Sequence, residues 1–154
     1  MARGLHPHAV QPRAADAARH HLRHVRDVDH LGPVRGFHET IREATAQAIR
    51  HATGRPGAVS CRFSHAYPDG PAPYFAFHAA GRKGALLGQW QAIKDAVSEA
   101  LIREGGTITH HHAVGRDHQK WYERQRPALF GEVLAAAKKR LDPLGILNPG
   151  VIVR

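Results

Sequence analysis

Apolar positions along this chain recur with two different periods, and the alternation between them sets out the expected elements. Phe37, Ile41, Ala44 and Ala48 step along one helical face, with Ile49 beside them, as an amphipathic helix requires. Gly54 and then Pro56-Gly57 end that helix. Val59, Cys61 and Phe63 next alternate with Ser60, Arg62 and Ser64, the period of a half-buried strand. Pro68-Asp69-Gly70-Pro71 is a turn, after which Phe75 and Phe77 share one face of a second strand. Tyr74, Ala76 and His78 take the other face, so the pair reads as an antiparallel hairpin.

Leu86, Trp90, Ile93, Val97 and Leu101 return to helical spacing, closed by Gly105-Gly106. Thr107 to His112 is short and β-prone and predicts a third strand. On such a strand His110 and His112 share a face and His111 points the other way. Leu129, Val133, Ala137 and Leu141 define a last helix, with Leu134 flanking and Pro127 near its first turn. Lys138, Lys139 and Arg140 fall in its last turn, where cations complement the helix dipole. Asp142-Pro143 stops it, and Asn148-Pro149-Gly150 turns the chain before Val151 to Val153. The expected class is α+β, a short antiparallel sheet covered by helices in the order α-β-β-α-β-α. Two or three strands cannot bury both faces of a sheet, so this sheet belongs to something larger.

Residues 1–35 follow neither period. They hold six His, six Arg and six Ala, and lack Ser, Thr, Glu, Lys, Ile and aromatic residues. With no apolar face to bury, they read as a disordered tail or as a GC-rich coding stretch translated out of frame, leaving 36–154 as the folded domain. The absence of Ser argues against a transit peptide, and no signal-peptide core opens the chain.

The 154 residues amount to one domain, and the 42% hydrophobic share supports a real core. No apolar run is long enough for a transmembrane segment. The single cysteine, Cys61, excludes an internal disulfide and agrees with a cytoplasmic location. It lies on the apolar side of its strand, a packing position. A net charge of +9 attracts nucleic acid or small anions. The basic residues are scattered, however, and no zinc-finger, RNP or helix-turn-helix pattern is present.

The densest chemistry lies in Gly105 to His118, which holds four of the 14 histidines. Three adjacent imidazoles offer donors, acceptors or cations near physiological pH. Burying them for packing alone is costly, so a bound anion, ring or metal is their natural partner.

Thr107-Ile108-Thr109-His110-His111-His112-Ala113-Val114-Gly115, then Trp121, Leu141-Asp142-Pro143 and Ile146-Leu147-Asn148-Pro149-Gly150 resemble the end of an FAD-linked oxidase. More narrowly, they resemble the C-terminal portion of bacterial proteins similar to alkyldihydroxyacetonephosphate synthase (alkylglycerone-phosphate synthase). Ser64-His65-Ala66-Tyr67-Pro68-Asp69-Gly70 and then Tyr74-Phe75 sit where that family carries a Tyr-containing substrate strand. The His triplet is the subfamily-specific part, whereas the Asp-Pro and Asn-Pro-Gly end is shared with lactate and glycolate oxidase relatives.

The resemblance implies the substrate-binding cap domain of a flavoprotein, incomplete because no Gly-rich FAD-binding domain precedes Phe37. It implies FAD as cofactor of the full-length relative, not held by this chain alone. His110, His111, His112 and Asn148 fall at cofactor-facing positions, where imidazoles would stabilise developing charge or a bound phosphate. Tyr74 falls at the acid/base tyrosine. A phenol exchanges protons near neutrality only beside groups that favour the phenolate, and His⁺ or Arg⁺ would supply them. Arg116, His65 and Tyr67 become substrate-binding candidates for a small anionic substrate, either a hydroxy acid or a phosphorylated ketone.

The partner implied is an FAD-binding domain, from a split or frame-shifted upstream coding region; homo-oligomerisation stays open. Ala113 replaces the family's usual glycine, and the family's upstream substrate arginine has no match, which leaves alkyl transfer and oxidation both open. Two alternatives stand beside this reading. One is a metal site on His110 and His112 with His65 or His78. No metal is assigned, because Pro68-Asp69-Gly70-Pro71 lacks the Gly-Asp-Gly-Asn pattern of metal-bearing relatives. The other is a basic nucleic-acid- or anion-binding module.

Overall fold

A computed structural model describes residues 31–67 and 70–153, with side chains from residue 34 onward. The tail expected over 1–35 therefore lies largely outside the described residues. Its last five residues belong to the first helix, α1, which spans Leu31–Thr53 and begins well before Phe37. The hairpin follows as β1 (Ala58–Tyr67) and β2 (Gly70–His78), then α2 (Leu86–Arg103), α3 (Gln119–Gln125) and α4 (Ala128–Leu141). The class is α+β, with a two-stranded antiparallel sheet among the described residues.

α1 forms for the reason its spacing gives. Phe37, Ile41, Ala48 and Ile49 are buried, and Thr45 joins them by donating its hydroxyl to the Ile41 carbonyl at 2.7 Å. That bond satisfies a polar group which burial would otherwise penalise. Gly54, at φ 73°, closes the helix by donating its N–H to the Arg50 carbonyl. α2 packs on α1 through Ile93, Val97 and Leu101, and α1 in turn meets the hairpin, whose Phe75 joins the same core. Gln89 ties the two helices by donating Nε2 to the Ala52 carbonyl at 2.9 Å. Ile108 and Trp121 complete this core from the chain that follows.

Three expectations are corrected. Phe63 was expected beside Val59 and Cys61, yet it is 56% exposed. A bulge between Phe63 and His65 inserts one residue into β1, so the inward alternation passes to Ser64, whose Oγ donates to the Ala72 carbonyl at 3.2 Å. Cys61, before the bulge, keeps its half-buried place.

The third strand does not form, and the order of elements is α-β-β-α-α-α. Residues 107–112 are an irregular loop held by a side chain where a neighbouring strand would be. The Gln125 Oε1 accepts the Ile108 N–H at 2.9 Å, and its Nε2 donates to the Gly106 carbonyl at 2.6 Å. α4 occupies its expected span, but its apolar stripe is uncovered: Leu129, Val133 and Leu141 are each more than 60% exposed. α4 makes no substantial contact with any other helix or strand among the described residues.

Candidate functional site

The loop after α2 delivers the histidines to the hairpin. Gly105, at φ 76°, and Gly106 end α2, their N–H groups bonding back to the Ile102 and Leu101 carbonyls. Ile108, 1% exposed, is driven into the core and anchors the loop two residues before the triplet. Thr109 then donates its Oγ1 to the His112 carbonyl at 2.7 Å. That turn curls the triplet, so the strand-like separation of faces expected for it is lost.

His110 and His111 therefore converge. Both ring centroids lie 4.9 Å from that of His65 on β1, with the rings edge-on, and the two are 5.2 Å from each other. Their Nδ1 atoms are 3.1 Å apart, and the His110 Nε2 meets the Tyr67 hydroxyl at 3.0 Å. Two Nδ1 atoms in contact require one to carry a proton and the other to accept it. A neutral His110 holds one proton for its two nitrogens. If Nδ1 donates to His111, Nε2 accepts from Tyr67, and the opposite tautomer reverses both bonds. Tyr67, His110 and His111 thus form a line along which a proton can pass in either direction.

His112 faces the other tyrosine. Its ring is 6.3 Å from Tyr74, edge-on, while the Arg62 guanidinium lies 4.5 Å above the Tyr74 ring from the strand opposite. The triplet spans both candidate tyrosines of the hairpin, with Tyr67 at one end and Tyr74 at the other. His78, at the far end of β2 and exposed, stands apart from this group.

Arg116 donates Nη2 to the Pro149 carbonyl at 3.1 Å, joining the His loop to the C-terminal turn beside Asn148. Asn148 itself adopts φ 46°, a conformation that asparagine tolerates better than most residues. Asp142 organises that tail by accepting the Ile146 and Leu147 N–H groups at 3.0 and 2.9 Å. Its ion pair with Lys138, at 2.6 Å, is the first cause of a carboxyl held below its ordinary range, with the two backbone donors adding to it.

Ring nitrogens of His65, His110 and His111 all lie within 4.8 Å of one another, a spacing that could hold a metal ion. This set differs from the alternative considered on sequence, since it takes His111 and leaves out His112 and His78.

Two residues behind the loop were given no role on sequence, although His118 closes the histidine-rich stretch. Lys94 and His118 are both buried, with Lys94 Nζ 3.0 Å from His118 Nε2. With Lys94 protonated, Nζ donates and Nε2 accepts, which puts the ring proton of a neutral His118 on Nδ1. Their signal was present: Lys94 is four residues after Trp90 on the apolar stripe of α2, an unusual place for a lysine.

With this geometry in view, the chain can be compared with known proteins. Residues 8–152 match the family of FAD linked oxidases, C-terminal domain, so the chain belongs to that family. Among named relatives, the alkyldihydroxyacetonephosphate synthase of Caenorhabditis elegans is 36% identical over 107 residues, which is 68% of this chain and 17% of the synthase. The synthase of Dictyostelium discoideum is 28% identical over 100 residues, 65% of this chain and 16% of that protein. The uncharacterized FAD-linked oxidoreductase YgcU of Escherichia coli K12 is 28% identical over 93 residues, 58% of this chain and 19% of YgcU. The chain spans less than a fifth of the length of these relatives. The family match also reaches upstream of Phe37, into the stretch set aside as a tail. The basic-module alternative gains nothing from these matches. No helix among the described residues is long and apolar enough to cross a membrane.

Proposed function

We propose that this chain is the substrate- and flavin-facing part of an FAD-dependent oxidoreductase or alkylglycerone-phosphate synthase-like transferase, a fragment of the complete enzyme. The observation that carries this reading is the convergence of His65, Tyr67, His110 and His111 on one side of the hairpin, with Tyr74, Arg62 and His112 next to them. The donor set suits the polar edge of a flavin ring or an anionic substrate, because imidazole and phenol groups both accept and donate. His110, His111 and His112 would line that edge, and Asn148 would approach it from the C-terminal turn. FAD, when bound, supplies the electron chemistry.

The chain's own residues supply proton handling and charge. Tyr74 acts as the acid/base group, with the Arg62 guanidinium above its ring and His112 edge-on to it. Tyr67 passes protons through His110 to His111, away from the substrate. Arg116, already bonded to Pro149, holds the loop and the tail together around an anionic substrate group, with His65 beside it. The substrate class is a hydroxy acid or a phosphorylated ketone. FAD-binding structure from the rest of the polypeptide, or from a separately encoded chain, is the required partner.

The test is a full-length relative in which this C-terminal segment replaces the native one. Tyr74→Phe keeps the ring and removes one hydroxyl, so kcat should fall about 100-fold or more with KM little changed, the signature of lost proton transfer. Tyr67→Phe should cost less and shift the pH profile. Unchanged kcat in Tyr74→Phe would make that tyrosine structural. This chain alone should not retain FAD, since no tight Gly-rich phosphate turn accompanies the histidines. Stoichiometric co-elution of FAD on gel filtration would show instead that a complete site is present.

A further inference from the structure

The end of α2, the 105–109 loop, α3 and the first turn of α4 line a cleft of about 640 Å³. That is within the usual range for a small-molecule site. Its walls combine Ile102, Tyr122 and Phe130 with Thr107, Thr109 and two arginines, Arg124 and Arg126. The arginines differ. Arg124 is committed, with both Nη atoms bonded to the Glu99 carboxylate at 2.6 and 2.9 Å. Arg126 forms no ion pair with any carboxylate among the described residues, and its Nη1 is buried without a hydrogen-bond partner.

The guanidinium of Arg126 is held where it is by shape. It lies 5.9 Å from the Tyr122 ring centroid and close against Gly131. A Cβ at position 131 would come within 2.8 Å of both Cζ and Nη1. A glycine in the first turn of a helix lowers helix stability, and here it leaves room for the Arg126 side chain that lines the cleft. A buried donor without an acceptor is likewise costly, and a cation without a counter-charge more so.

From these observations we infer that the cleft binds a small oxyanion attached to a compact aromatic or branched apolar body, an aryl phosphate or aryl carboxylate in class. The oxyanion balances Arg126, and the apolar body lies on Tyr122, Phe130 and Ile102. None of the clustered histidines lines this cleft, although Thr109 beside them does, and the inference does not depend on the flavin reading.

Isothermal titration of the full chain with phenyl phosphate, phenylacetate and inorganic phosphate tests it. One-to-one binding of phenyl phosphate or phenylacetate is expected at roughly 0.1–1 mM, and whichever binds tighter identifies the headgroup. Inorganic phosphate separates this site from the diffuse attraction of a chain carrying +9. Arg126→Gln should weaken aryl-anion binding at least tenfold. Phe130 is 50% exposed, so Phe130→Ala leaves the fold intact and should weaken the aryl anions several-fold while sparing inorganic phosphate. Inorganic phosphate binding as tightly as the aryl anions, aryl binding unaffected by Phe130→Ala or by folded Arg126→Gln, or no binding of either aryl anion at about 10 mM would each overturn the site.

Discussion

α1 and α4 carry the same kind of apolar stripe and meet opposite fates. Ile41 and Ile49 in α1 are fully buried, while Leu129, Val133 and Leu141 in α4 stand in solvent with Leu144, Ile146 and Leu147 of the tail. Periodicity states that a helix has an apolar face; it does not state what covers the face. α1 finds α2 and the hairpin within this chain. α4 finds no helix or strand among the described residues, in a chain that spans under a fifth of its relatives. The contrast divides the molecule into a region that is a core and a helix whose apolar face no other described helix or strand covers.

The largest expected effect tests that division directly. Ile41→Ala, at a site with 0% exposure, should cost about 2–5 kcal/mol in urea unfolding, from lost burial and the cavity left behind. Leu141→Ala, at 81% exposure, should change stability by less than about 0.5 kcal/mol. A cost above about 1 kcal/mol for Leu141→Ala would show that the α4 face is covered, and the contrast would fail.

Next in size is the bridge between core and loop. Gln125 satisfies a donor and an acceptor of the His loop through one amide. Gln125→Ala should therefore cost about 1–2 kcal/mol and accelerate amide exchange at Ile108 relative to Ile93. Equal exchange in variant and parent would mean that Ile108 holds the loop unaided.

A smaller effect separates two carboxylates by region. Glu99 clamps α3 to α2: hydrogen bonding from Arg124, and then from the Trp121 Nε1 at 3.1 Å, lowers its pKa from 4.5 to about 2. A carboxyl depressed in the fold stabilises it fully above the unfolded value and loses that contribution as pH falls through the folded one. Acidification from about pH 4.5 towards 2 should thus release α3, with Trp121 fluorescence reporting the change. Asp142 is also depressed, but its partners lie in the last turn of α4 and the tail, so its protonation should loosen residues 142–147 and leave Trp121 fluorescence unmoved. Glu99→Gln should remove the acid transition seen by Trp121; persistence of that transition would assign it elsewhere.

The smallest effect concerns Cys61. Burial pushes its thiol up to about 11, so the thiolate is scarce at pH 8 and labelling by a disulfide reagent should be slow. Urea should accelerate it. Rapid labelling of the folded chain would place the hairpin outside the cooperative core.

Local chemistry was enough for much of this molecule. Spacing alone located α1, α2, α4 and the hairpin, and glycines at 54 and 105 marked helix ends because few other residues tolerate a positive φ. The family was legible in the His triplet and the Asp-Pro and Asn-Pro-Gly end, since those residues identify themselves wherever they fold. α1 was cut short at its start, because Leu31 to Arg35 carry helix without a clear apolar period.

What tertiary structure alone decided involves contacts between residues far apart in sequence. Thr107 to His112 has the composition of a strand, yet a strand needs a neighbour, and the side chain of Gln125 took that place from 17 residues away. The resulting bend brought His110 and His111 together on His65 and sent His112 to Tyr74, a grouping that no alternation rule contains. Phe63 turned outward because a bulge depends on how two strands register, and register is a property of the pair. The burial of Lys94 against His118 and the exposure of α4 have the same origin. Sequence sets which groups each element offers, and only packing sets which of them meet.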